Sequence, residues 1–342
     1  MKSYFPLLDI LRFLAAFWVM GFHYFLGWSG DLSWYRYGNL GVPLFFIISG
    51  FVISNSVADK PLKEFALGRF IRLFPLFWIA CTFTYLFTLL MPNGNPVHFS
   101  EYVVSMTMLG DKFGAVFHLP RLVDAAYWSL SVEIIFYIAI ALFVHFFSWK
   151  NIRYFLYGWL LISAVSFFVG LNDTFFFKLL LVRHASYFIF GATLALIVSS
   201  TYLSRKQQLY DYYFLALIAI YSTIISYKAL PPYLTPHPYD ANIVALLHPL
   251  FFILALLFVY YSQYFQSKRY LSFATIVGGL TYPLYLLHQT IGNTLITHFK
   301  EYGTLASRGA IMMACMIVVA YFVYRFDARL RKYLYTKLST RS

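Results

Sequence analysis

The sequence predicts an all-α fold: a polytopic transmembrane helix bundle of about ten spans with both termini cytoplasmic. Three observations predict it. Hydrophobic residues fill 61% of the 342 positions and charged residues only 11%, under half the charged share of a soluble domain. Mean hydropathy is +0.68. Apolar runs of about 20 residues, the length that crosses a bilayer, recur along the whole chain. Together these exclude a soluble single-core domain and leave no low-complexity linker to place.

The spans follow in order as residues 6–27, 39–57, 70–91, 126–147, 152–170, 178–199, 212–229, 242–262, 274–297 and 308–326. The first lacks a small-x-small cleavage site and contains Arg12 and His23, so it reads as a retained span and not a signal peptide. The second is short and holds Pro43 and Gly50. Residues 97–122 are too polar and interrupted to cross, and read as a long loop. His248 precedes Pro249 inside the eighth span, where a core or kink role fits better than chemistry. Residues 1–330 are expected to form one transmembrane domain, and 331–342 a basic cytoplasmic tail. Cys81 and Cys315 fall inside apolar runs, so neither a disulfide framework nor a zinc spacing is present.

The net charge of +13 does not mark a nucleic-acid binder. The Lys and Arg residues sit in short loops, where they set topology and meet anionic headgroups. One set of loops and ends holds Lys2, Lys60, Lys63, Arg69, Arg72, Lys150, Arg153, Arg205, Lys206, Lys268, Arg269 and the basic C-terminal run through Arg341. It outnumbers the other set, which includes Arg36, Lys112, Arg121, Lys178 and Arg183, by roughly two to one. By the positive-inside rule the richer side is cytoplasmic.

Charges inside the spans need a reason, since an arginine at a helix centre costs roughly 2.5–3.5 kcal/mol on insertion scales. Arg12 and His23 are eleven residues apart on the first span, about 16 Å along the axis and on one face. Taken singly, Arg12 is a snorkelling residue and His23 a buried histidine bonded to a neighbour. Taken together, on one face, they mark a ligand path. Arg69 and Arg72, three apart in "GRFIRLFPLFW", share a face at the mouth of the third span. On charge alone they are a positive-inside anchor. With Arg12 they place three guanidiniums at one membrane level, a pattern suited to a multiply phosphorylated ligand.

The fourth span, "AYWSLSVEIIFY", buries Glu133 about two turns deep, with Ser129 on the same side. An intramembrane carboxylate is either a structural partner for a cation or a functional group; both hold if Glu133 orients His23. The ninth span adds His288, one turn from Tyr285, in "TYPLYLLHQT". Arg183 and His184 lie near the outer mouth of the sixth. His98, His118, His237 and His298 are in or near outer loops and take no role. No HExxH, paired-cysteine or acidic cluster points to a metal, and there is no glycine-rich phosphate loop.

These motifs resemble the acyltransferase 3 family of integral membrane O-acyltransferases, which includes O-antigen and exopolysaccharide acetyltransferases. The resemblance rests on the Arg-x10-His pair (Arg12, His23), "NLGVPLFFIISGFVI", "GRFIRLFPLFW" and "YWSLSVEIIFY", with "YFIFGATLAL" and "TYPLYLLHQT" following in order. It implies a ten-helix bundle that moves an acyl group from cytoplasmic acyl-CoA to an acceptor, often a sugar hydroxyl on the outer side. Two departures stand out. Pro43 follows "GV" where the family often has Asp, and Asp327 in "YRFDARLRK" stands where the family usually has Glu followed soon by Pro. Some relatives also carry a C-terminal hydrolase-like domain; with the chain closing on a short basic tail, a one-domain mechanism is expected.

The expected mechanism follows from that resemblance and the residue depths. Acyl-CoA, most simply acetyl-CoA, binds Arg12, Arg69 and Arg72 through its phosphates, and His23 acts as general base on the acceptor hydroxyl. Glu133 fixes the tautomer of His23 or stabilises its imidazolium, and no metal takes part. His288, Tyr285, Trp128, Ser129 and Arg183 line the carbohydrate acceptor site. The expected setting is the cell membrane, the inner one in a Gram-negative source, and a homo-oligomer is left open. A secondary transporter of an anionic solute or lipid-linked sugar is the rival, because intramembrane Arg, Glu and His suit proton coupling as well. Acyl chain and acceptor sugar are not encoded legibly.

Overall fold

A computed structural model of the chain describes residues 4–26, 33–58, 60–91, 97–111, 121–199, 204–228 and 240–339. Lys2, Lys112, Arg341, His118 and His237, the last positions of the windows ending at 27 and 229, and residues 340–342 of the basic tail lie outside them. Among the described residues the chain is helical and has no strand.

The helices are α1 (Pro6–Phe25), a 3-10 run (Ser33–Leu40) leading into α2 (Gly41–Val57), α3 (Leu62–Leu90), α4 (Phe99–Met106), α5 (Trp128–Phe147), α6 (Ile152–Phe168), α7 (Phe175–Leu179), α8 (Ala185–Ser199), α9 (Arg205–Lys228), α10 (Ala241–Tyr261), α11 (Lys268–His298) and α12 (Leu305–Ser339). Among the described residues, eight helical segments are long and apolar enough to cross a membrane. The windows 152–170 and 178–199 correspond to shorter helices.

Four differences from the sequence expectation have physical causes. Helix α3 starts at Leu62, not 70, because Lys63 and Glu64 lower the local hydropathy without lowering helix propensity. Helix α12 runs to Ser339 for the same reason, so residues 331–339 continue the last helix. The window 178–199 is broken: α7 ends at Leu179, a turn follows, and α8 starts at Ala185. In that turn Leu181 takes φ 56°, while the Trp159 indole N–H donates to the Leu180 carbonyl at 2.7 Å. Irregular backbone of this kind persists in lipid only where protein satisfies it. The stretch 97–122 is likewise not all loop, since it contains α4, opened by a capping box between His98 and Glu101.

The chain divides into two compact units. The first comprises Met1–Leu8, Leu40–Phe65 and Val132–Gln266. Its seam is α2 against α8, where "NLGVPLFFIISGFVI" meets "YFIFGATLAL". A Cβ at Gly50 would strike the Phe188 backbone, and one at Gly191 the Ile47 carbonyl. Small residues let helix backbones approach closely where lipid gives no hydrophobic drive to association. Around the seam the Phe188 ring stacks on Phe136 at 4.3 Å and on Phe46 at 4.8 Å.

The second unit comprises Asp9–Asn39, Ala66–Ser131 and Ser267–Ser342. Helix α11 packs its glycines on bulky partners: Gly278 on the Asp9 side chain, Gly279 on Tyr324, and Gly292 on the Tyr24 ring. Tyr282 donates to the Leu73 carbonyl on α3 at 2.9 Å. Helices α1, α3, α11 and α12 carry the histidine pair and the arginine cluster described next.

Candidate active site

Two polar clusters lie in the second unit. In one, His23 on α1 and His288 on α11 face each other with ring centroids 5.2 Å apart. His288 is buried, at 1% exposure, and His23 is half-buried. The Nδ1 of His288 lies 2.9 Å from the Tyr285 carbonyl and 3.2 Å from the Leu284 carbonyl. Carbonyl oxygens only accept, so Nδ1 carries the proton and the neutral ring keeps its lone pair on Nε2. That Nε2 is buried without a hydrogen-bond partner. It is the one atom of the ring left with bonding capacity to offer a ligand.

The backbone around His288 is clamped by α1 and by the segment preceding α5. Tyr24 donates to the His288 carbonyl at 2.8 Å and Tyr127 to the Leu286 carbonyl at 3.1 Å. The Tyr285 hydroxyl donates to the Ala126 carbonyl at 2.6 Å and lies 2.6 Å from Ser129 Oγ. Since the tyrosine proton goes to the carbonyl, Ser129 must be the donor in that pair. Tyr285 and Ser129 thus spend their hydroxyls on each other and on the backbone, and frame His288. Trp128, half-buried, begins α5 beside them.

Asp124, which the sequence does not single out, completes this clamp. It is 1% exposed; Oδ1 accepts from the Ala126 N–H at 2.8 Å and Oδ2 from the Thr290 N–H at 2.9 Å. It is also an electrostatic neighbour of His288. An aspartate ahead of a helix reads as an N-cap, which Asp124 is. Its reach to α11 carries no local signal.

The second cluster is cationic. Arg72 on α3 has Arg331, Arg12, Arg69 and Asp327 as its charged neighbours. Arg331 pairs with Asp327 at 2.9 Å, and Arg12 lies 3.9 Å from Asp9. Four guanidiniums therefore stand with two carboxylates, an excess of positive charge. Arg331, the first residue of the expected basic tail, joins the cluster because α12 continues as a helix past its apolar stretch.

Two predicted site residues belong to the first unit. Glu133 on α5 accepts a hydrogen bond from the Ser49 hydroxyl on α2. Arg183 pairs with Asp173 at 2.7 Å, both side chains largely exposed, an arrangement worth about 0–1 kcal/mol. Among the described residues, no group of three or more His, Cys, Asp or Glu is placed to hold a metal ion.

Comparison with known proteins decides the class. A family model described as an acyltransferase domain matches residues 5–325. The chain belongs to the acyltransferase 3 family. Its apolar helices make it a multi-pass membrane member of that family. A peptidoglycan O-acetyltransferase, OatA, of Listeria monocytogenes is 29% identical over 157 residues, which is 40% of this chain. The match spans 24% of that relative's length. No solved structure matches. Among the described residues, the histidine pair and the arginine cluster lie in the same unit and share helix α1.

Proposed function

We propose that this protein is a membrane O-acetyltransferase that takes its acyl group from acyl-CoA at the cytoplasmic side and delivers it to a carbohydrate hydroxyl. The observation that carries the reading is that one helix, α1, joins both clusters: Arg12 in the guanidinium group and His23 against His288. The similarity to a peptidoglycan O-acetyltransferase supports acetyl as the group and a cell-surface glycan as the acceptor, with the cell membrane as the setting.

In this reading Arg12, Arg69, Arg72 and Arg331 bind the donor's phosphates, each planar fork gripping two oxygens. The pantetheine arm runs along α1 toward His23. His23 takes the proton of the acceptor hydroxyl as its oxygen attacks the thioester carbonyl carbon. The carbon–sulfur bond then breaks, the thiolate leaves, and the imidazolium returns the proton to it, so that ester and free CoA thiol result. The lone pair on His288 Nε2 receives a hydrogen bond from the hydroxyl or the imidazolium, and Asp124 favours positive charge at that place. Trp128 flanks the acceptor, while Tyr285 and Ser129 position His288. Glu133, held by Ser49, acts as a structural carboxylate of the first unit, and Arg183 as a surface residue.

Membranes containing the protein, supplied with labelled acetyl-CoA and a glycan acceptor, should transfer label. His23→Ala should lower transfer by about 10²–10⁴-fold while the protein remains folded. Full turnover by that variant would refute the base assignment. Solute flux into vesicles without any acyl donor would refute the enzyme reading.

A further inference from the structure

The first unit carries a cleft whose lining shares no residue with the two clusters assigned above to acyl transfer. It has a volume of about 560 Å³ and is lined by Lys150, Arg153, Gln207 and tyrosines 154, 157, 210 and 213. Tyr154, Tyr210 and Tyr213 are 75%, 49% and 63% exposed. Exposed tyrosines at helix ends next to basic residues mark the headgroup level of a bilayer. Arg153 is fixed there by Asp211, with Nε to Oδ1 at 3.1 Å and Nη2 to Oδ2 at 2.8 Å. That bidentate pair leaves the Nη1 donors of Arg153 unspent. Lys150 makes no ion pair among the described residues, so its ammonium is available.

A second, apolar groove begins where the cleft ends. Its volume is about 260 Å³, and Tyr154 lines both. It continues along α6 past Phe155, Gly158 and Ile162 to Leu179 and Leu181. From Tyr154 to Ile162 is about 12 Å along the helix axis. Gly158 opens it: a Cβ there would meet nothing within 4 Å. The groove is therefore unfilled and not closed by packing.

A cationic, hydroxyl-rich cleft at the headgroup level, continuous with an apolar groove running into the hydrocarbon, has the polarity profile of one amphiphile. We propose that cleft and groove together bind a single anionic glycerophospholipid of the cytoplasmic leaflet. Its phosphate lies on Lys150 and Arg153, tyrosine hydroxyls contact its glycerol, and one acyl chain occupies the groove over Gly158. The excess positive charge selects an anionic headgroup over a zwitterionic one. The site is independent of the histidine and arginine clusters.

The test uses the purified full chain, delipidated and then offered equal amounts of phosphatidylglycerol and phosphatidylcholine, with retained lipid counted by native mass spectrometry. Wild type should retain phosphatidylglycerol at least fivefold over phosphatidylcholine. Lys150→Glu should erase that preference. Gly158→Leu, whose Cβ meets nothing within 4 Å and whose branched end adds bulk to the groove, should lower retention of phosphatidylglycerol at least fivefold, while Gly158→Ala retains most of it. Equal retention of the two lipids by wild type overturns the proposal, as does full retention by Gly158→Leu. If Gly158→Leu unfolds, wild type with a phosphatidylglycerol bearing a photoreactive acyl chain decides: labelling at Ile162 or Leu179 supports the site, and labelling elsewhere overturns it. Displacement of the lipid by a polyprenyl phosphate at equimolar ratio also overturns it.

Discussion

The arginine cluster and the histidine pair share a unit and a helix, yet they spend their polar atoms in opposite ways. Around Arg72, three further guanidiniums crowd together, with Asp327 beside Arg331 and Asp9 beside Arg12. In the proposed reading such a group receives the phosphates of the donor. Around His288 nearly every polar group is already bonded: Tyr24, Tyr127, Tyr285, Ser129 and Asp124 all hold backbone or one another. On the His288 ring, Nε2 remains free in a fixed orientation. The difference teaches that one end of the unit is built to attract and the other to orient.

If that division is right, damage at the two ends should separate into different kinetic constants. The largest effect is expected at the orienting end, where His23→Ala should lower kcat by about 10²–10⁴-fold, the usual scale for general acid–base catalysis. Equilibrium binding of acetyl-CoA to the same variant should stay within twofold of wild type. Loss of binding there would break the division.

Arg72→Ala should do the reverse. Removing one charge-assisted phosphate contact costs about 1.5–3 kcal/mol, so donor affinity should weaken roughly 10–100-fold with kcat largely retained at saturation. Arg331→Ala should weaken affinity in the same direction, and unchanged affinity would return Arg331 to a structural role. His288→Asn sharpens the comparison, because its amide can still donate to the Leu284 and Tyr285 carbonyls but offers nothing at the Nε2 position. A roughly tenfold or greater fall in kcat with normal thermal stability, within the scale of a lost charged hydrogen bond, would assign that nitrogen to the reaction. The smallest effect is on salt: donor affinity should fall severalfold as ionic strength rises and the Debye length contracts from about 10 to about 3 Å. His23→Ala should show the same slope as wild type.

Much of the fold was legible because a bilayer imposes one length on every crossing. Windows of that length located the cores of the long helices. They misplaced ends such as Leu62 and Ser339, where charged residues continue a helix without being apolar. They also ran through the break at Leu180–His184. The stretch "FKLLLVRHAS" has no glycine or proline to announce a turn, and the break depends on the Trp159 indole, twenty-one positions away.

The site divides the same way. Arg12, His23, Arg69 and Arg72 stood out because charge inside an apolar run demands a reason. Asp124 did not, since its local role as a helix cap explains it fully, and only its bond to Thr290 shows the rest. Glu133 stood out on the same logic as the arginines, yet the structure gives it Ser49 as its hydrogen-bond partner.

The glycine seam of the first unit sets a boundary condition on how the protein moves. With carbonyls of one helix lodged where the other has no side chain, α2 and α8 can neither slide nor roll without collision, so they travel as a single strut. Breathing that admits or releases substrates must be found in other joints. Amide protons along that strut should be among the slowest in the molecule to exchange with deuterated water.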